Sequence, residues 1–154
     1  VKEQGLEVNE SNERIVRESL RKKYGMGAFA TLNIPKIDKF LKKSDVVVDG
    51  LYSWSEYKIL KEKYRESMYV VSVYAPPELR YKRLGGRAVK NDSAQRFRSI
   101  TREDAKARDY AEIEKIEKAG PIAMADFTLV NTGTVDELKQ GVNEILQKPS
   151  IKKK

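Results

Sequence analysis

An α/β domain built on a parallel sheet is the fold class this sequence predicts, and three observations predict it. Val46-Val47-Val48 is a β-branched run without polar alternation, the pattern of a strand covered on both faces. Met68 to Ala75 and Phe127 to Val130 read as two further strands. Helical patterns separate these runs, the βαβ arrangement whose crossovers are right-handed.

Taken in order, residues 1–9 carry no strong pattern. Asn9 or Ser11 caps a helix reaching about Tyr24, with Ile15, Val16, Leu20 and Tyr24 as its apolar stripe. Gly25 and Gly27 break it. A second helical stretch runs to Leu41, and Pro35 inside it predicts a kink or two shorter helices. The first strand is expected over 45–49, and Ser53 opens a helix to about Tyr64. Pro76 and Pro77 stop the strand at 68–75, Pro77 suits the first turn of a helix through Leu84, and Gly85-Gly86 end it. From Arg87 to Ile100 the sequence is polar, basic and aperiodic, as in a mobile loop or lid. Thr101 with Asp104 begins a charged helix to about Ala119, interrupted by Gly120-Pro121. After the strand at 127–130, Thr134 with Glu137 forms a capping box for a last helix carrying Leu138, Val142, Ile145 and Leu146. One domain over 1–147 is expected, with a lid or insert at about 85–118. Residues 148–154 are expected to be a disordered basic tail.

The composition narrows the chemistry. The 154 residues include no cysteine and no histidine. That removes disulfides, thiolate nucleophiles, Ser-His-Asp catalysis and ordinary zinc sites together. Carboxylates, lysines, arginines, tyrosines or a ligand's own phosphates must do any chemistry. No apolar run approaches the roughly 20 residues of a membrane span and no signal-peptide pattern opens the chain, so a cytoplasmic location is expected. The net charge of +8 is concentrated. Arg80, Lys82, Arg83, Arg87, Lys90, Arg96, Arg98 and Arg102 face one acid, Asp92, between residues 79 and 102. Such a cluster attracts phosphates. It equally suits a solvated face, the simpler role for the lysines of the tail.

Asp49 would close a buried strand at its carboxyl end, where open α/β sheets place their ligands. With Gly50 it would equally well make only the turn out of the strand. The spacing is consistent with both roles.

Three blocks in sequence extend this picture. They are Val46-Val47-Val48-Asp49-Gly50 followed by Ser53 and Glu56, then Val73 to Leu84 (VYAPPELRYKRL), then Met124 to Leu138 (MADFTLVNTGTVDEL). Together they resemble the P-loop kinases of the nucleoside-monophosphate-kinase superfamily, nearest to dephospho-CoA kinase and dephospho-CoA-kinase-like nucleotide kinases. The resemblance implies a three-layer parallel-sheet sandwich, with ATP and Mg²⁺ as cofactors. It implies transfer of a phosphoryl group to a small nucleotide-like acceptor such as dephospho-CoA. It places Asp49 near the phosphates and the magnesium shell, a position that suits a hard ion taking one or two carboxylates. It makes Arg83 and Arg87 the lid arginines that neutralise the transferring phosphoryl group. It sets Asn131 and Gly133 in the loop beside the adenine, and Arg80 on a similar helix face to Arg83.

Two departures stand against it. Relatives carry a phosphate-gripping arginine after Asp-Gly, where this chain has Leu51-Tyr52-Ser53. No G-x-x-x-x-G-K-[ST] occurs, and no Gly-Lys pair at all. That cradle of backbone amides and its lysine are the superfamily's main phosphate-binding device. In the superfamily it precedes everything seen here, on a strand between those matching 45–49 and 68–75. An N-terminally incomplete chain is therefore expected, with a slot of apolar side chains beside an unpaired strand. Three readings follow. The chain is the carboxyl-terminal portion of an ATP-dependent kinase. Or it is a P-loop-less, non-catalytic relative that binds a nucleotide or a protein. Least favoured is a nucleic-acid-binding module, because the basic segment lacks interleaved aromatics and any recognised motif.

Overall fold

The computed structural model describes residues 5–7, 10–86 and 100–152. In order these form α1 (Glu10–Tyr24), α2 (Ala28–Leu41), α3 (Trp54–Tyr64), β1 (Val71–Tyr74), α4 (Pro77–Gly85), α5 (Arg102–Glu114), α6 (Ala119–Ala123), β2 (Phe127–Val130), α7 (Val135–Leu146) and α8 (Pro149–Lys152). The α/β class holds, with helix predominating. β1 and β2 pair in parallel, Val71 opposite Phe127 and Tyr74 opposite Val130. Just outside the pair the Phe127 amide donates to the Val70 carbonyl at 3.1 Å and the Asn131 amide to the Tyr74 carbonyl at 2.7 Å.

The helix starts follow from local chemistry. Ser53 caps α3: its hydroxyl accepts the Glu56 amide, and the Glu56 carboxylate accepts the Ser53 amide in return. Thr134 and Glu137 make the same reciprocal box at α7, and Thr101 accepts the Asp104 amide at α5. Pro77 occupies the first turn of α4, where its missing N–H costs nothing.

Packing divides into two regions. Ala30 and Ile37 of α2 meet Leu60 of α3, with Ile34, Leu51, Ile59, Tyr64 and Met68 around them. Tyr64 donates to Asp38 at 2.9 Å and Lys63 pairs with Asp38 at 3.0 Å, so the same two helices are also tied at their surface. In the second region α7 lies on the sheet. Gly141 permits the approach, since a Cβ there would stand 2.8 Å from Leu129 Cδ2.

Several expectations need correction. Residues 45–49 form no strand. Val47 is 97% exposed and Val48 54%, so neither face is covered. A strand exists only as part of a ladder, and among the described residues the sheet consists of β1 and β2 alone. Pro35 neither kinks α2 apart nor splits it; one helix runs from Ala28 to Leu41. Pro35 and Thr31, whose carbonyl loses its partner to the proline ring, both lie on the exposed side, where water replaces the bond. The strand expected at 68–75 is ordered as β only over Val71–Tyr74. The helix after Thr101 ends at Glu114 rather than near Ala119, because the chain turns at Glu117 (φ 61°). The basic tail is not wholly irregular: Pro149–Lys152 makes a helical turn, held where the Tyr69 hydroxyl donates to the Ser150 carbonyl. The lid residues 87–99 lie outside the described residues.

Candidate functional site

The carboxyl ends of the two parallel strands gather most of the residues singled out in the sequence. Tyr74 and Val130 lead into Ala75-Pro76 and Asn131-Thr132-Gly133, and α4 projects Arg80 and Arg83 across the gap. Both arginines use their forked geometry. Arg83 donates to the Asn131 carbonyl at 2.7 Å, to Asn131 Oδ1 at 3.1 Å and to the Gly133 carbonyl at 3.2 Å. Arg80 donates to the Ala75 carbonyl at 2.7 Å and forms an ion pair with Asp109 of α5. The same Asp109 accepts from the Tyr81 hydroxyl at 2.9 Å. Val73, Tyr74, Ala75, Arg80, Arg83, Leu84 and Asn131 line a cavity of about 210 Å³ at this end of the sheet. That is smaller than a pocket enclosing a whole drug-sized ligand, and sufficient for a ring or a phosphate group.

Arg80, Arg83, Asn131 and Gly133 are thus brought together. Asp49 is not. It is exposed, ends the extended stretch that follows α2, and is not among the residues lining this cavity. Gly50 makes the turn at φ 96°, a conformation that side chains resist, and a Cβ there would stand 3.0 Å from the Tyr52 ring. The left-handed angle belongs to Gly50 and not to Asp49. Arg87 lies outside the described residues. Among the described residues no cluster of three or more carboxylates could hold a metal ion. A second cavity, about 360 Å³, opens between α4 and the start of α5, and the Glu78–Arg102 ion pair (2.7 Å) sits in its wall.

Asp109 escaped the sequence reading, and Glu56 entered it only as part of a motif. Asp109, which locks Arg80, sits in a charged helix whose pattern gives it no distinction. Glu56 is 2% exposed and anchors the turn after Gly50: its Oε2 accepts from the Tyr52 amide at 3.0 Å and the Ser53 amide at 3.2 Å. Burial pushes the Glu56 carboxyl above its ordinary value, while those two amides, the Arg21 guanidinium and the Phe29 amide pull the other way. The Ser53-x-x-Glu56 spacing is a capping-box signal that could have found Glu56.

No family model matches the chain. Relatives are nevertheless clear. A UPF0200 protein of Thermococcus kodakarensis is 37% identical over 150 residues, covering 94% of this chain and 77% of that protein. A UPF0200 protein of Thermococcus gammatolerans is 35% identical over 146 residues, covering 94% and 73%. This chain belongs to the UPF0200 family. A longer UPF0200/UPF0201 protein of Archaeoglobus fulgidus is 31% identical over 145 residues, and there the match covers 43% of the relative. About a quarter of each Thermococcus protein lies outside the matched stretch. Within the described residues of this UPF0200 chain, no helix is long and apolar enough to cross a membrane.

Proposed function

We propose that this UPF0200 chain forms the larger part of an ATP-dependent phosphotransferase acting on a small nucleotide-like acceptor, with dephospho-CoA the first to try. One observation carries the reading: Arg83 is clamped to the loop of Asn131 and Gly133 at the carboxyl end of parallel strands. That is the end at which open α/β sheets bind ligands. The positive side chains there suit phosphate, and catalysis of phosphoryl transfer is chiefly positioning and neutralisation of charge. Arg80 and Arg83 would steer and neutralise phosphate oxygens, while Asn131 and Gly133 would border a base in the adjoining cavity. ATP would arrive with Mg²⁺, which supplies further neutralisation. Such a hard ion would be held mainly by phosphate oxygens, and the resemblance to the kinases gives it Asp49 as one carboxylate.

The open side of β1 supports the three-layer P-loop sandwich as the complete architecture. β1 pairs only with β2 among the described residues. Val47 and Val48 of the extended stretch stay exposed, as do Val71 and Val73 of β1. A further strand between 45–49 and β1 would pair both and bury these valines, each worth roughly 1.5–3 kcal/mol. The amide cradle and lysine that the reaction needs are absent from residues 1–154, so the reading places them elsewhere in the polypeptide.

A P-loop-less binding role is the second reading. It is favoured by the commitment of Arg83 to two carbonyls and of Arg80 to Ala75 and Asp109, which leaves less charge to offer a phosphate. The discriminating assay offers γ-labelled ATP and Mg²⁺, with dephospho-CoA and nucleoside monophosphates as acceptors, to protein from the whole reading frame. The kinase reading expects label on one acceptor class. ATP binding without transfer to any acceptor would establish the binding role in its place.

A further inference from the structure

Asp109 holds Arg80 from outside the strand-end cavity, a contact that so far has no role. Arg80 lines the cavity beside Arg83, while Asp109 is not among the lining residues. The two arginines are satisfied differently. Among the described residues Arg83 is bonded to neutral oxygens, the carbonyl and Oδ1 of Asn131 and the carbonyl of Gly133. Arg80 places one arm of its fork on the Ala75 carbonyl at 2.7 Å and the other on the Asp109 carboxylate. The same Oδ2 of Asp109 accepts from the Tyr81 hydroxyl at 2.9 Å. α5 is also tied to α4 independently of Asp109, by Glu78 with Arg102 at 2.7 Å and by the Ile100 amide on the Leu84 carbonyl at 3.4 Å. Ala105, one turn before Asp109, is 2% exposed, so the face of α5 that carries Asp109 is a packed one. The Arg80 side chain nevertheless keeps 37% of its surface open and that of Asp109 25%, so a small ion can reach the pair.

We propose that Asp109 is a built-in counter-anion of the strand-end cavity, holding Arg80 until a phosphate group bound beside Arg83 takes its place. The reasoning is a charge count. Two arginines and one aspartate leave one positive charge at the cavity. A terminal phosphate brings about two negative charges at neutral pH. Guanidinium forks match carboxylate and phosphate oxygens alike, so the incoming phosphate and Asp109 compete for the same N–H groups. Asp109 is a positioning residue acting through Arg80, and it touches no ligand itself. The competition also couples the cavity to α5. Phosphate on Arg80 releases one tie between α5 and α4, and by reciprocity whatever presses Asp109 onto Arg80 weakens the hold on phosphate. This regulation rests on the assignment of the strand ends to phosphate in the phosphotransferase reading.

Inorganic pyrophosphate is the probe, titrated calorimetrically into the whole 154-residue chain as the parent and as Asp109→Asn, Arg80→Gln, Tyr81→Phe and Glu62→Gln. Asparagine keeps the size of Asp109 and an oxygen for the Tyr81 hydroxyl, and removes the charge. Asp109→Asn is expected to tighten pyrophosphate about tenfold, because the ligand no longer displaces a charge-assisted contact. That gain should shrink as salt rises. Arg80→Gln should weaken binding by a similar factor. Tyr81→Phe removes a tie to α5 without changing any charge, and should give no gain. Glu62→Gln makes the same change of charge at an exposed position of α3, and should also give none. Equal or weaker binding in Asp109→Asn overturns the counter-anion role, as does a parent and an Asp109→Asn that both fail to bind. A gain reproduced by Tyr81→Phe or by Glu62→Gln overturns it too, since looseness of α5 or net charge would then be the cause. The titration uses no nucleotide and transfers no group. A failed transfer assay with a tenfold gain in Asp109→Asn would sink the phosphotransferase reading alone, and label transfer without that gain would sink the counter-anion alone.

Discussion

Replacing Glu56 with alanine is expected to lower the stability of the fold by about 3 kcal/mol, because it removes a carboxylate that is 2% exposed and closes the capping box at the start of α3. The same change strands the Tyr52 and Ser53 amides, both of which now end on Oε2. For a chain of this size the midpoint of thermal unfolding should fall by roughly 10 °C. Glu56→Gln keeps the shape and one acceptor, so its loss should be smaller, and its value lies in the pH dependence. Burial raises the Glu56 carboxyl above 4.5, so the folded protein keeps this proton at pH values where the unfolded chain has released it. Stability from this group is therefore present at low pH and is lost as pH climbs through the window that opens at 4.5. Urea titrations of the parent across that window should show the decline, and Glu56→Gln should flatten it. Parallel curves for the two proteins would mean that Glu56 titrates normally and that its burial is not felt.

The second large effect concerns Asp49. In the complete protein Asp49→Asn is expected to reduce phosphoryl transfer by a hundredfold or more, on the order of what removal of one charge-stabilising group costs elsewhere. Folding should hardly change, since Asp49 is exposed and Gly50, not Asp49, has the backbone angle that the turn requires. A kinetic assay beside a thermal melt separates the two outcomes. Full turnover in Asp49→Asn would reduce Asp49 to a turn residue.

How much of this was legible in the sequence depends on the range of the forces concerned. Capping is local. Ser53 opens a helix, Thr101 with Asp104 and Thr134 with Glu137 stand three residues apart, and each of the three helices starts where expected. β2 was equally plain, four apolar or β-branched residues between turn signals. Residues 45–49 have the strand pattern and no strand, because pairing depends on a neighbour that this stretch does not describe about itself. The order of motifs singled out Arg80, Arg83, Asn131 and Gly133, but not the bonds of Arg83 to the Asn131 and Gly133 carbonyls. The Asp109 lock on Arg80 was hidden, since one aspartate among several in a charged helix carries no signal.

Titration of the protein from the whole reading frame with ATP and Mg²⁺, followed calorimetrically beside an Arg83→Ala variant, tests the central claim most directly. Saturable binding that weakens by about tenfold or more in Arg83→Ala is the expected result, the loss of a forked, charge-assisted contact at the strand ends. A folded parent that binds no ATP at millimolar nucleotide, or one that binds it equally well without the Arg83 guanidinium, would contradict it.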